Sequence, residues 1–264
     1  MSTKNKSIAQ LKEMVSKAKE AQEIHLLIEH LKIDPRKGAN RLATQLERQL
    51  EKQEKRWNRF QQMRDIEEKY LTQGYQHIAG MDEVGRGPLA GPVVSAAVVF
   101  PKEFSLHREA LLDVDDSKKL SAAKREDLYD KILEACVECQ VVFIDNTVID
   151  RFNIYNATIQ SMTKAVRQLS VEPDLLLIDA MHLPDLSMEQ KSVVKGDQRI
   201  FSIAAASIVA KVKRDAYMEQ YHYQYPQYDF LNNKGYGTKT HIEAIQKYGL
   251  TPIHRRSFCK NFMK

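Results

Sequence analysis

The stretch Ile78–Phe100, IAGMDEVGRGPLAGPVVSAAVVF, constrains the fold of this chain more than any other. Two apolar runs of small residues flank a loop that holds three of the ten glycines and two of the eight prolines. At the head of the loop stand adjacent carboxylates, Asp82 and Glu83, followed by Gly85-Arg86-Gly87. A strand that ends in acids and opens into a glycine turn builds a poor core. It suits a divalent cation held beside a phosphate backbone, because glycine admits a ligand to bare main chain and arginine offers a planar donor fork. An ordinary hairpin turn accounts for Asp-Glu alone; it does not account for Asp-Glu followed by GRGPLAGP.

The chain around this stretch changes texture once. Residues 7–33 keep helical spacing through Ile8, Leu11, Val15, Ala18, Ala21, Ile24, Ile28 and Leu31, and Asp34-Pro35 breaks the pattern. A second helix is expected over about 39–71, dense in Gln, Glu, Lys and Arg, with Leu42, Leu46, Leu50, Trp57, Phe60 and Met63 as sparser apolar positions. Residues 1–72 therefore form a helical N-terminal extension, of a kind that more often packs or meets a partner than carries chemistry. From His77 onward the pattern is α/β. Strands are expected at 78–83, 93–100, 139–145, 175–179 and 190–194. Helices are expected near 121–137, 153–170, 199–221 and 239–248, with Ser121 as an N-cap. Residues 73–264 are expected to form one catalytic domain, a mixed sheet flanked by helices.

The 264 residues suffice for one large domain with an appendage. No apolar run approaches membrane-spanning length, and MSTKNKSIAQL lacks the apolar segment of a secretory signal, so a cytoplasmic protein is expected. Three cysteines argue against a disulfide framework, and Cys136-x-x-Cys139 lacks the second pair that zinc would need. Charge is uneven: residues 1–72 carry a net +5, residues 73–194 a net −7 and residues 195–264 a net +7. An acidic middle between basic ends fits a metal centre on a scaffold that meets a polyanion. Random asymmetry would fit as well.

Further acids end apolar strands or stand just beyond them. Asp179 closes LLLID at a position that faces the crevice at the sheet edge, although a strand-end cap would look the same. Asp197 lies in VVKGDQR, ahead of an Ala-rich helix. With Asp82 and Glu83 this makes four carboxylates from three segments. They can converge only around a shared cation, and this number of hard oxygen ligands suits Mg²⁺ or Mn²⁺. Asp215 reads as the partner of Arg214 or Lys211, and Ala204 to Ser207 as a surface for close helix–sheet packing. Most of Tyr217, Tyr221, Tyr223, Tyr225 and Tyr228 reads as core and rim. His182 reads as a structurally satisfied histidine, and His254-Arg255-Arg256 fits phosphate binding or plain solvation equally.

In order along the chain, MDEVGRGPLAGPVVSAAVV, DDSKKLS, NIYNAT, LLIDAMHLP, VVKGDQRIFSIAAASIVAKVKRD and NKGYGTKTH resemble the motifs of ribonuclease HII, the bacterial type 2 ribonuclease H. The resemblance covers about residues 75–258, and its first and fifth motifs are highly specific. The helical extension is similar to those of some members from Gram-positive bacteria. The resemblance implies an RNase H-like mixed five-stranded sheet flanked by helices. It also implies metal-dependent hydrolysis of RNA strands paired with DNA, including cleavage 5′ of single ribonucleotides embedded in duplex DNA. Asp82, Glu83, Asp179 and Asp197 match the family's catalytic and metal-binding acids, with two Mn²⁺ or Mg²⁺ ions in the substrate complex. Gly85, Arg86 and Gly87 match the segment that senses the ribonucleotide 2′-OH, and Tyr236 matches the tyrosine that reads the RNA-to-DNA junction. Lys118 and Lys119 would contact backbone phosphates as point charges. The partners implied are RNA/DNA hybrid and duplex DNA with embedded ribonucleotides, with no membrane and a monomeric chain.

Three rival readings are weighed against this. Ribonuclease HIII shares the fold, but GRG, Asp at position 197 and a first segment without strand alternation stand against it. A non-catalytic nucleic-acid binder has no use for four repelling acids beside phosphate. A small-molecule phosphohydrolase shares the metal logic and lacks the GRG and NKGY pair.

Overall fold

Four strands form where the sequence gathers its Val, Ile, Leu and Ala runs, β1 (Ile78–Val84), β2 (Val93–Val99), β3 (Glu138–Ile144) and β4 (Leu175–Asp179), and a polar fifth, β5 (Glu189–Val193), lies at the sheet edge. The computed structural model of the chain describes residues 6–18, 21–102 and 109–263. The strands make one sheet in the order β3-β2-β1-β4-β5, with β1 at its centre. β1 pairs antiparallel with β2 and parallel with β4; β2 and β3 are antiparallel, and β4 and β5 parallel. This is the expected mixed five-stranded sheet, and each strand end falls within one residue of its expected position.

The helices are α1 (Ile8–Lys17), α2 (Ala21–Ile33), α3 (Lys37–Thr72), α4 (Ala122–Ala135), α5 (Asn146–Arg167), α6 (Phe201–Gln224), α7 (Phe230–Asn233), α8 (Lys239–Tyr248) and α9 (Arg256–Cys259). The chain divides into two compact units, Met1–Arg59 and Phe60–Lys264, and the dividing point lies inside α3. In the first unit Leu11, Ile24, Leu27, Ile28, Leu31, Leu42 and Leu46 form a core of their own. The single helix expected over 7–33 is two helices: α1 ends at Lys17, Ala18 is extended, and residues 19–20 lie outside the described residues. α1 starts on a capping box in which Ser7 and Gln10 satisfy each other's main-chain N–H.

In the second unit strand alternation splits the core in two. Ala79 and Met81 of β1, with Leu176 and Ile178 of β4, pack on one face with Ala157, Met162, Ala165 and Val166 of α5. Ile78, Leu175 and Leu177 pack on the other with Ile200 and Ile203, and Ile66, Tyr70 and Leu71 of α3 lie against them. α6 crosses β1 so closely that a Cβ on Gly80 would run into the Ser202 main chain and hydroxyl. That contact explains a glycine in the middle of a central strand.

Caps fix the helix starts. Ser121 accepts from Lys124 N–H at the start of α4, as expected, and Asp145 accepts from Thr147 and Val148 N–H at the start of α5. α5 begins seven residues before the expected position 153, where Asn153 (φ 67°) interrupts it. The Asn153 side chain then caps the second half, accepting from Asn156 N–H at 3.0 Å. α6 has no side-chain cap of its own. Glu67 of α3 supplies one from a distance, accepting from Ser202 N–H at 2.7 Å.

Candidate metal and nucleic-acid site

The carboxyl ends of β1 and β4 lie side by side, because Met81 is in register with Ile178 and the strands run parallel. By alternation Asp82 and Asp179 then share the α6 face with Ile78, Leu175 and Leu177. Asp82 is buried. Its Oδ1 accepts from Glu83 N–H at 2.8 Å, and the Ser207 hydroxyl of α6 donates to it. Ser207 also meets Ser117 at 2.9 Å. The Ala-rich stretch of α6 therefore packs closely, as expected, and in addition delivers a donor to the first acid.

Asp179 Oδ1 accepts from Gly196 N–H at 2.9 Å. This ties the end of β4 to the 3₁₀ turn Gly196–Gln198 that carries Asp197. Asp197 is buried, and its Oδ2 meets Lys118 Nζ at 3.2 Å. Lys118 follows Asp116, whose carboxylate accepts from Lys118 N–H at 2.9 Å and from the Gln198 side chain at 3.1 Å. Asp116 thus knits the DSK segment to the Asp197 turn, a role that sequence reasoning missed. Its signal was a third acid in a short acidic run, which reads as surface until its two partners are seen.

The electrostatics agree with the geometry. Burial first, then the charges of Glu83 and Asp179, hold the Asp82 carboxyl well above its ordinary range, against the Ser207 and Glu83 donors. Glu83 is raised by burial, with Arg86 opposing and Asp179 adding to the shift. Burial likewise raises Asp179, the Gly196 N–H opposes, and the Asp197 charge raises it further. All four expected acids therefore share one electrostatic neighbourhood. Among the described residues no three acidic, His or Cys side chains already form a closed cation cage. Lys118 Nζ pairs with Asp197, and Arg86 Nη1 lies 3.3 Å from Glu83 Oε1. The donor set nevertheless fits a divalent cation, because Glu83 Oε2 is buried without a hydrogen-bond partner and positive charge beside it would stabilise the carboxylate that burial disfavours.

The glycine loop stands next to the acids. Gly85 has φ +90°, and a Cβ there would strike the Arg214 side chain and the Pro92 carbonyl, so no other residue fits. A Cβ on Gly87 would lie 3.7 Å from Tyr236 Cε1, which places the tyrosine ring, 43% exposed, directly on the loop. The turn before Tyr236 is built from left-handed Lys234 (φ 49°) and Gly235 (φ 88°). Arg86 and Lys119 are exposed, with Lys119 Nζ 3.5 Å from Asp115.

Several residues sit differently from expectation. His254 and Arg255 of the basic tail are buried, and only Arg256 is exposed, so neither solvation nor direct phosphate contact describes that segment. His182 is exposed, against the expected satisfied histidine. Asp215 pairs with Lys211 at 2.7 Å, as expected, but its second cation is Arg125 at 3.6 Å and not Arg214. Of the tyrosines, Tyr228 is core and Tyr223 is exposed. The three cysteines are free, with Cys136 at the end of α4 and Cys139 in β3. No helix among the described residues is long and apolar enough to cross a membrane.

Comparison with known proteins gives one consistent family. A family model described as Ribonuclease HII matches residues 79–261, and one described as Ribonuclease HII N-terminal domain matches residues 7–71. The chain is similar to Ribonuclease HII of Clostridioides difficile, 45% identical over 259 residues, which is 98% of this chain and 99% of that protein. It is similar to Ribonuclease HII of Enterococcus faecalis, 52% identical over 85% of this chain and 86% of the relative. Among solved structures it resembles the ribonuclease H2 from Pyrococcus horikoshii OT3. The TM-score is 0.60 at 25% identity, with 70% of this chain and 96% of that one covered.

Proposed function

We propose, since the chain belongs to the ribonuclease HII family and is an endonuclease acting on RNA/DNA hybrids, that it also cuts duplex DNA on the 5′ side of a single embedded ribonucleotide. One observation carries this reading: the Tyr236 ring sits on Gly87, in a loop whose Arg86 reaches Glu83 of the acid cluster. A sugar lying against the glycine loop would present its 2′-OH to bare main chain. The ring would then bear on the next sugar, where an extra hydroxyl would be crowded. A lone ribonucleotide followed by DNA satisfies both readers at once.

Asp82, Glu83, Asp179 and Asp197 would hold the divalent cations, Mn²⁺ or Mg²⁺, which when bound supply the charge that activates water and stabilises the departing 3′-oxygen. The remaining work belongs to the chain. Ser207 and the Glu83 N–H keep Asp82 oriented, and the Gly196 N–H orients Asp179. Arg86 and Lys118, which stand against Glu83 and Asp197, would offer their donors to substrate phosphate. Lys119, exposed beside them, adds a further cation to the phosphate track. The products of this cut carry a 3′-OH and a 5′-phosphate. The setting implied is ribonucleotide excision in the cytoplasm by a monomer.

The test is cleavage of an end-labelled DNA duplex carrying one ribonucleotide, with Mn²⁺ or Mg²⁺, for wild type and Asp179→Asn. A single cut 5′ of the ribonucleotide is expected, lost with chelator and reduced at least about a hundredfold in the variant. Calorimetry should show weaker Mn²⁺ binding by the variant as well. Cleavage of long hybrids alone would remove the junction roles of Arg86 and Tyr236, and undiminished cutting by the variant would remove Asp179 from the site.

A further inference from the structure

Beneath the glycine loop lie two arginines that are both fully buried, Arg214 of α6 and Arg255 before α9. A buried guanidinium is ordinarily matched to a carboxylate. Among the described residues neither of these has a carboxylate within ion-pair distance, and both spend their donors on main-chain carbonyls. Arg214 Nε donates to Pro92 O at 3.0 Å, Nη1 to Lys234 O at 2.9 Å and Nη2 to Ala90 O at 3.2 Å. Arg255 Nε donates to Gly91 O and Nη1 to Arg86 O, both at 2.9 Å, and Nη2 donates to Gly85 O.

Five of the six carbonyls belong to residues 85–92, and one, Lys234 O on Arg214, to the turn that ends in Tyr236; the Arg255 fork holds the loop alone and is tied to that turn through Leu89. Further main-chain bonds close the same unit: Leu89 N–H to Gly235 O at 2.8 Å, Gly91 N–H to Ile253 O at 2.9 Å and Arg255 N–H to Leu89 O at 2.8 Å. The Arg214 guanidinium carbon lies 6.0 Å from the centre of the Tyr236 ring, and its side chain fills the space that a Cβ on Gly85 would need. Two like charges in one low-dielectric region destabilise the fold, and apolar residues of similar size would fill that space without the repulsion. What they would not do is fix the loop carbonyls and bridge them to the Tyr236 turn, which the rigid Arg255 fork does for the loop and the Arg214 fork for both segments.

We infer that Arg214 and Arg255 are positioning residues that set the distance between the glycine loop and Tyr236, and so determine substrate choice. This rests on the reading of Gly85–Gly87 and Tyr236 as the junction readers. Neither arginine reaches the surface, so neither touches substrate; each acts through the backbone it holds. The long hybrid, which engages many contacts, tolerates a loosened reader, whereas the lone ribonucleotide depends on both readers at once.

The experiment compares kcat/KM of the full-length wild type, Arg214→Lys and Arg255→Lys on two substrates, a duplex with one ribonucleotide and an RNA/DNA hybrid. A lysine keeps the charge and loses the fork. For variants that melt within a few degrees of wild type, the single-ribonucleotide to hybrid ratio should fall about tenfold, with hybrid cleavage changed by no more than about threefold. Mn²⁺ affinity by calorimetry should be unchanged. A folded variant that keeps the wild-type ratio, or loses both activities together, overturns the inference. A wild type that ignores the single ribonucleotide overturns the underlying reading instead. Amide hydrogen exchange on the wild type decides the matter if neither variant folds. The Leu89, Gly91 and Arg255 amides should be as protected as those of α6, and exchange at the rate of an open loop would refute the clamp.

Discussion

Two imidazoles, His241 and His254, meet in the interior with Nε2 atoms 3.0 Å apart, and their partners dictate their tautomers. His241 Nδ1 faces the Tyr236 carbonyl at 2.9 Å and must donate to it. His254 Nδ1 accepts from Thr251 N–H at 2.9 Å. His254 therefore donates through Nε2 to the bare Nε2 of His241, and both rings are neutral. Burial lowers both, and takes His254 down to about 4, with the His241 charge adding to the effect. The folded state thus resists a proton that the unfolded chain accepts from about pH 6.5 downward. The neutral pair stabilises the fold above that pH, and its contribution is lost as pH falls toward 4. For His254 alone the loss is roughly 3 kcal/mol. The raised carboxyls of Asp82, Glu83 and Asp179 act with opposite sign over acid pH, so a single melting curve would mix the two. The difference between wild type and His254→Gln isolates the pair: wild type should be the more stable at pH 7.5, and its advantage should shrink or reverse by pH 5. A constant gap in melting temperature across that range would contradict the neutral-pair assignment. Asp82 and Asp179 were legible in the sequence because a carboxylate that ends an apolar strand has few uses. His254 and Arg255 were not, since beside Arg256 they look like a basic tail. The carbonyls that draw Arg255 inward lie more than 160 residues away in the chain.

At the scale of elements the strand ladder was the most legible part, because β-branched runs bounded by turn residues leave little choice of period. Helix ends were legible where a Ser, Thr or Asp stood at the start, as at Ser121. They were obscure where the cap comes from elsewhere. α6 begins after Ile200, which has no polar side chain, and its first turn is held by Glu67. Glu67 is buried and also pairs with Arg64, itself buried. Ser202, which Glu67 holds, lies five residues before Ser207, the donor to Asp82. Glu67→Ala should therefore destabilise the protein by about 2 kcal/mol, since it removes a carboxylate from the buried Arg64 guanidinium and frees the Ser202 N–H. Glu67→Gln, which keeps an acceptor, should lose less. Urea unfolding midpoints would measure both, and a change of under about 0.5 kcal/mol for the alanine variant would mean that α6 needs no external cap. The kink at Asn153 shows the same limit of sequence reading. Periodicity found the second half of α5, and the capped turn ahead of it required a side chain in place.

For the whole molecule, the sequence pattern suggests an extension over 1–72, the family models meet residues 7–71 and 79–261, and the packing divides at Arg59 and Phe60. Phe60, Met63 and Glu67 are buried, and Ile66, Tyr70 and Leu71 pack on the sheet-side core around Leu175 and Ile200. Each large apolar side chain buried contributes roughly 1.5–3 kcal/mol, and a domain's net stability is only about 5–15 kcal/mol. A chain begun at residue 60 should fold and melt cooperatively, whereas one begun at residue 73 should lack a cooperative transition or aggregate. Circular dichroism melts of the two would test this, and equal melting temperatures would show that the last turns of α3 are dispensable. The fully buried Arg214 and Arg255 have a consequence at the same scale. Burial draws the Arg255 pKa down to about 9, followed by the like charge of Arg214, so at neutral pH it keeps its charge. Two positive charges beneath the glycine loop, with no carboxylate in ion-pair distance among the described residues and only Asp215 and Asp150 acting from farther off, bias the loop toward positive potential beside the acids of β1 and β4. A polyanion approaching this molecule would feel a short, steep dipole, attracted at the loop and repelled at the acids, and that gradient would orient its backbone before any hydrogen bond forms.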